Sequence, residues 1–276
     1  MKLGIFEIDA LSDGPFLLDG GQMFGVVPKV LWEKKMPADQ RNRVRMSLNC
    51  LLIRAGRHNI VVETGIGDKF EAKLNDIYGV DHAAASLPGQ LKERGLDLTD
   101  IDIVINTHLH FDHCGWNTSR QEGRLVPTFP RARYFIQRGE WAHALQPTEK
   151  DRASYVRDFF EPAEKQTEFL EGEAEIVPGV KVEIVRGHTE HMQCVRIESE
   201  GEQAYFISDL VPTQAHLALP WIMSFDLYPL DTLENKRRIL PELALLESIV
   251  VFPHDPTTPW VRLMVSSGKM VVTPVS

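Results

Sequence analysis

Three histidines and an aspartate stand within six residues, in His108-Leu109-His110-Phe111-Asp112-His113. His108 and His110 lie two apart, so in extended backbone both side chains face one side and can share an ion. Asp112 and His113 are adjacent, which suits a turn that aims both at a second ion nearby. Imidazole with carboxylate is the ligand set of zinc and similar first-row metals. Further ligand types follow at His188 in Gly187-His188-Thr189, at Asp209 after Ser208, and at His254 before Asp255-Pro256. Ser208 as a nucleophile is the competing chemistry. Nothing around it has the form of a nucleophile elbow, and the histidines it would need already belong to the metal set. Cys114, beside His113, reads as a small packing residue.

These residues need elements to position them. The short, mostly β-branched run Ile101 to Ile105 predicts a buried strand that delivers the chain into Thr107-His108. Strands over 181–185 and 204–208 lead to His188 and Asp209, and Ile249 to Phe252 reads as a last buried strand ending at His254. Ligand types therefore follow four buried strands, on one rim of the sheets. Elsewhere the pattern predicts strands at Leu3 to Ala10, Asn49 to Arg54, Asn59 to Val62 and 193–198. Helices are predicted over 69–78, 85–95, 139–147, 151–160 and 233–247, with a sharp turn at Glu63-Thr64-Gly65. Residues 11–45 read as a loop or extension, glycine-rich from Asp19 to Gly25. The segments LLIRAGRHNIVVETG and VRIESEGEQAYFISD both run strand, polar turn, strand, acid. Two such halves, each a sheet with helices outside, give an α/β fold built as a four-layer αββα sandwich. No linker or low-complexity tract divides the chain, so one domain is expected over 1–276.

The 276 residues suffice for a substantial core, and 43% hydrophobic with 25% charged residues is an ordinary globular composition. A formal charge of −9 excludes a general binder of nucleic acid or anionic membrane, which needs a basic face. Cys50, Cys114 and Cys194 are odd in number and far apart, so no disulfide framework follows. Acids interrupt the opening MKLGIFEIDALSDG before any long apolar stretch, so neither signal peptide nor membrane span is expected, and the cytoplasm is the default compartment.

The order HxHxDH, then Gly-His-Thr, a strand-end Asp and a late His resembles the metallo-β-lactamase superfamily over nearly the whole chain. The resemblance implies two divalent metal ions, zinc by default, although iron, manganese or cobalt suit the same donors. One would take His108, His110 and His188, the other Asp112, His113 and His254, with Asp209 bridging. Zinc β-lactamases of this family carry Cys or Ser where Asp209 stands, and flavodiiron proteins carry Glu where His110 stands. The Asp bridge is similar instead to the lactonase, glyoxalase II and phosphodiesterase branches. Two departures are Glu63, where Asp is usual, and Gly187-His188-Thr189-Glu190-His191, where a longer Gly-His-Thr-x-Gly-His is common. Glu63 and His191 are expected to support the site rather than to bind metal.

Such a pair brings a hydroxide nucleophile to neutral pH, because metal binding lowers the pKa of water from about 15.7 to about 7. Asp112 is the candidate for passing a proton to the leaving oxygen. The segment Gly20 to Lys29 and the form HLHFDH resemble a branch holding N-acyl homoserine lactonases and methyl parathion hydrolase. There the N-terminal loop lies over the metals, so Met23 and Phe24 would form one apolar wall of the substrate cleft. Trp221, Phe225 and Tyr228 would form the other. One lactonase type carries Tyr three residues after the bridging Asp, where this chain has Pro212. The expected function is hydrolysis of a small-molecule substrate, a lactone of the N-acyl homoserine type or a related carboxylic ester. A phosphotriesterase or phosphodiesterase, a glyoxalase II-like thioesterase and a non-catalytic metal-binding relative are the alternatives. Analogy also implies a homodimer through the N-terminal segment and residues 20–45.

Overall fold

Residues 50–53 alternate: Leu51 and Ile53 face one layer, Cys50 and Leu52 the other, and all four are buried. A strand buried on both faces requires a layer on each side. In the computed structural model, which describes residues 1–275, both layers are present.

The first sheet begins with β1 (Lys2–Leu3), β2 (Phe6–Asp19), β3 (Arg43–Ala55), β4 (His58–Val62) and β5 (Ile103–Ile105). A separate hairpin, β6 (Thr118–Gln121) with β7 (Arg124–Pro127), precedes β8 (Arg133–Gln137) and β9 (Thr167–Leu170), which complete it. The second sheet runs in chain order through β10 (Ala174–Val177), β11 (Val180–Ile184), β12 (Gln193–Ser199), β13 (Glu202–Phe206), β14 (Ile249–Val251), β15 (Trp260–Ser266) and β16 (Lys269–Pro274). The helices are α1 (Gly20–Phe24), α2 (Lys29–Trp32), α3 (Ala72–Tyr78), α4 (Leu87–Glu93), α5 (Arg138–Leu145), α6 (Arg157–Phe160) and α7 (Pro229–Leu245).

Between the sheets, Leu51, Ile53 and Val62 meet Val195, Ile197 and Phe206. Outside the first sheet, Leu87 and Leu91 of α4 cover Cys50, Leu52 and Val104. Outside the second, Ile239, Leu240 and Leu243 of α7 cover Cys194, Tyr205 and Val250. Helix, sheet, sheet and helix give the expected αββα sandwich. The two echoed segments are equivalent hairpins, β3–β4 and β12–β13. Each is followed by a parallel neighbour, β5 or β14.

Several expectations need correction. The first strand does not stop at Ala10: β2 continues to Asp19 through a bulge between Ser12 and Pro15. Asp13, within the stretch read as a loop or extension, is buried there and accepts from Ile66 N, Gly67 N, Leu87 N and Trp116 Nε1. The glycine-rich stretch read as loop is largely α1, because Asp19 Oδ1 caps it by accepting from Gln22 N at 2.9 Å. Over 151–160 only α6 is helical; the Ser154 carbonyl accepts from Phe111 N at 2.8 Å and is diverted from any helix. Ile249 to Phe252 is not the last buried strand. Flanking prolines hid β15, whose Val261 and Leu263 are buried. No helix among the described residues is long and apolar enough to cross a membrane.

Candidate metal centre

Strands β5, β11, β13 and β14 end at one rim, and the loops after them carry His108, His188, Asp209 and His254. The loop after β5 is built from its own polar groups. Thr107 N donates to Glu63 Oε1 at 2.9 Å, and Asn106 Nδ2 donates to the His113 carbonyl at 3.1 Å. His113 N and Cys114 N both donate to the His110 carbonyl, which closes the turn holding Asp112. Gly115 follows because a Cβ there would lie 2.0 Å from the carbonyl carbon of Ile66.

The structure brings all seven candidate ligands together. His108 Nε2 and His188 Nε2 lie 3.1 and 3.0 Å from His110 Nδ1. Across the site, His254 Nε2 lies 3.1 Å from His113 Nε2, and Asp112 Oδ2 lies 3.6 Å from His254 Nε2 and 3.8 Å from His113 Nε2. Asp209 stands between the groups, 3.3 Å from His188 Nε2, 3.6 Å from His113 Nε2 and 3.3 Å from His254 Nε2. Thus His108, His110 and His188 form one set and Asp112, His113 and His254 another, while Glu63, His108 and His113 also converge as a third group.

The donor set fits cations. The Ser47 carbonyl can only accept, so His254 Nδ1 carries the proton of that 2.9 Å bond and its Nε2 is a bare lone pair when the ring is neutral. Asp226 Oδ1, 3.0 Å from His188 Nδ1, fixes that ring in the same tautomer. Both lone pairs aim at other imidazole nitrogens near 3 Å, close to the edge of about 3.3 Å that tetrahedral bonds of about 2.0–2.1 Å would give. Asp209 Oδ1 is buried without a hydrogen-bond partner. Burial, then the neighbouring rings, hold His108 and His110 well below the usual imidazole range, which leaves their nitrogens free to ligate. Burial opposes the Asp209 carboxylate, yet the rings of His254, His113 and His188 hold it well below its ordinary value. His113 moves the other way: burial opposes its charge, but Asp112, Asp209 and Glu63 lift it well above the ordinary value.

Residues outside the candidate set complete the support. Glu140 accepts from Leu109 N, Tyr155 Oη and Thr189 Oγ1, tying the His108–His110 loop to the His188 loop. Neither Glu140 nor Asp226 has a spacing that singles it out in the sequence. His191 packs on Gly139, and Cys114 and Ser208 are buried, with Ser208 Oγ donating to Thr107 Oγ1. Burial pushes the Cys114 thiol well up, away from thiolate chemistry.

A cavity of about 490 Å³ opens over this rim. Met23 and Phe225 line it, with Leu17, Leu18, Phe111 and Met223. Phe24, Trp221 and Tyr228 do not. Phe24 is buried between Trp32 and His216 with Trp221 at its edge, so both aromatics brace the wall from behind. Tyr228 turns outward, under Arg186 and toward Glu190.

His216 makes that wall sensitive to acid. Its Nε2 donates to the Met23 carbonyl and its Nδ1 faces Thr213 Oγ1, an arrangement for a neutral ring. Burial moves it down from 6.5 to about 4. A depressed folded value contributes stability that is complete above about pH 6.5 and lost as pH falls through about 4. In urea unfolding, the stability of wild type relative to His216→Gln should shrink across that window. A constant difference would assign the acid sensitivity elsewhere.

The pattern of the metallo-β-lactamase superfamily matches residues 44–254. The chain belongs to that superfamily. An N-acyl homoserine lactonase of Bacillus cereus is 27% identical over 168 residues, 58% of this chain and 61% of that one. The chain thus matches less than two thirds of that relative's length. An N-acyl homoserine lactonase of Bacillus thuringiensis is 28% identical over 218 residues, 75% and 80% of the two chains. The crystal structure of a probable metal-dependent hydrolase from Staphylococcus aureus has a TM-score of 0.92 at 30% identity, covering 100% of this chain and 99% of that one.

Proposed function

We propose that the chain opens lactones of the N-acyl homoserine type, or cleaves related carboxylic esters, at a centre of two divalent metal ions. The observation that carries this reading is the pair of ligand sets joined by Asp209 at the floor of an apolar cleft. The relatives named as N-acyl homoserine lactonases support the substrate class. The chain works as one metallo-hydrolase domain, with residues 11–45 covering the cleft through Leu17, Leu18 and Met23. Zinc is the first candidate ion for these donors. Exposed Val26, Val30 and Leu31 within residues 20–45 support a homodimer through that segment.

Bound ions supply a water-derived nucleophile at neutral pH and polarise the substrate's carbonyl oxygen. The protein does the rest. Asp226 and the Ser47 carbonyl hold His188 and His254 in the tautomers that point Nε2 inward. Leu17, Met23, Met223 and Phe225 take the acyl chain and exclude water around it. Asp112, at the cleft floor, carries the proton to the departing oxygen.

The test is a panel of short- and long-chain acyl homoserine lactones, a simple aryl ester, paraoxon and a bis-aryl phosphodiester. Lactone opening well above the phosphoesters supports the proposal. Dominant phosphoester turnover would transfer the function to a phosphotriesterase or phosphodiesterase.

A further inference from the structure

Beside its ions, a hydrolytic cleft can use a hydrogen-bond donor for the substrate oxygen that gains charge. The Lys150, Arg43 and Arg41 cations of the lining are already engaged, while the side chains of Gln22, Ser154 and Ser224 have no hydrogen-bond partner among the described residues but lack the aromatic packing that holds Tyr78. Lys150 Nζ donates to the carbonyls of Ser224, Phe225 and Asp226. Arg43 donates to Asp39 and to the carbonyls of Asp76 and Ile77, and Arg41 pairs with Asp76. Pro212 has no side-chain donor. Tyr78, at the last position of α3, lines the cavity, and its hydroxyl has no hydrogen-bond partner among the described residues.

Three features fix that phenol in place. Its ring packs on Phe111, centroids 4.8 Å apart, and on Phe70 at 5.7 Å. Phe111 sits between His110 and Asp112, so Tyr78 is keyed directly to the ligand loop. The carbonyls of Asp76 and Ile77 at the end of α3 accept from Arg43 Nη1, at 2.8 and 3.0 Å. The helix stops at Gly79 with φ of +52°, where a Cβ would meet Leu17 Cδ1 at 2.6 Å. Only glycine lets the helix end press this closely on the wall of the cleft.

We propose that Tyr78 is a catalytic residue whose hydroxyl donates a hydrogen bond to the substrate oxygen that takes on negative charge as the ester bond is cleaved, with Arg43 as the residue that positions it. The proposal rests on the hydrolytic reading of the site. Burial and the Asp112 carboxylate both raise the phenol above its ordinary value, so it remains a donor across the neutral range.

The test is Tyr78→Phe, which keeps both ring contacts and removes only the hydroxyl, assayed on whichever panel substrate wild type turns over fastest. The expected result is a kcat lower by about tenfold or more, with KM within about threefold and bound metal unchanged. A phosphonate analogue of that substrate should bind at least about tenfold more weakly to the variant, while a hydrolysis-resistant lactam binds about equally. Arg43→Lys, which loses the paired grip on the helix end, should lower kcat in the same direction by a smaller factor. Unchanged kcat, or a change confined to KM, would overturn the role of Tyr78 and leave the site's function standing. Wild type inactive on the whole panel would overturn the hydrolytic reading, and this inference with it.

Discussion

Asp209→Ala should strip at least one ion from the protein and lower turnover by about a hundred- to a thousandfold. The carboxylate lies within 3.3–3.6 Å of His188, His113 and His254, between the two ligand sets. One of its oxygens is buried with no hydrogen-bond partner, an arrangement that costs about 1–3 kcal/mol unless something else satisfies it. A cation on each side would do so. Alanine removes the shared anion, so two cations held by imidazoles and Asp112 alone would repel each other with less negative charge between them. Metal content and kcat measured on one preparation read the effect. Two ions per chain with near wild-type turnover would show that Asp209 is not the link between the sets.

Asp112→Asn separates chemistry from binding. Asn keeps an oxygen where Asp112 Oδ2 now lies, 3.6 Å from His254 Nε2, so much of the metal should remain. What is lost is the ability to take up and release a proton. A carboxylate in that role contributes about a hundred- to ten-thousandfold, so kcat should fall within that range while metal content falls far less. Substrates with good leaving groups should suffer least, because their departing oxygen needs no proton. Full activity with both ions bound would remove Asp112 from the chemistry.

Most of this fold was legible because buried strands announce themselves. Ile103–Ile105 and Ile249–Phe252 are continuous apolar runs, and each must end where the sheet does, so the histidines after them fall on a common rim. The ligand loop was legible because His-x-His-x-Asp-His compresses four donors into six residues. What escaped was whatever depends on contacts distant in sequence. Asp13 lies in a stretch with no local strand signal, yet four donors from three other segments close on its carboxylate. Glu140 and Asp226 lie 31 and 38 residues from the groups they hold, and no local spacing marks them. Which of the candidate wall residues reach the cavity depends on such contacts too. Met23 and Phe24 are neighbours in a short helix, so they point in different directions, and only one can face the cleft. Tyr78 had no signal at all, since α3 reaches the cleft through the packing of Gly79 on Leu17.

The central claim is that two metal ions share this rim. The most direct measurement is the metal content of the purified protein, by elemental analysis against protein concentration. About two ions per chain is the expected result, with zinc as the leading element. Fewer than about one per chain, with no uptake on adding zinc, manganese or cobalt, would contradict it.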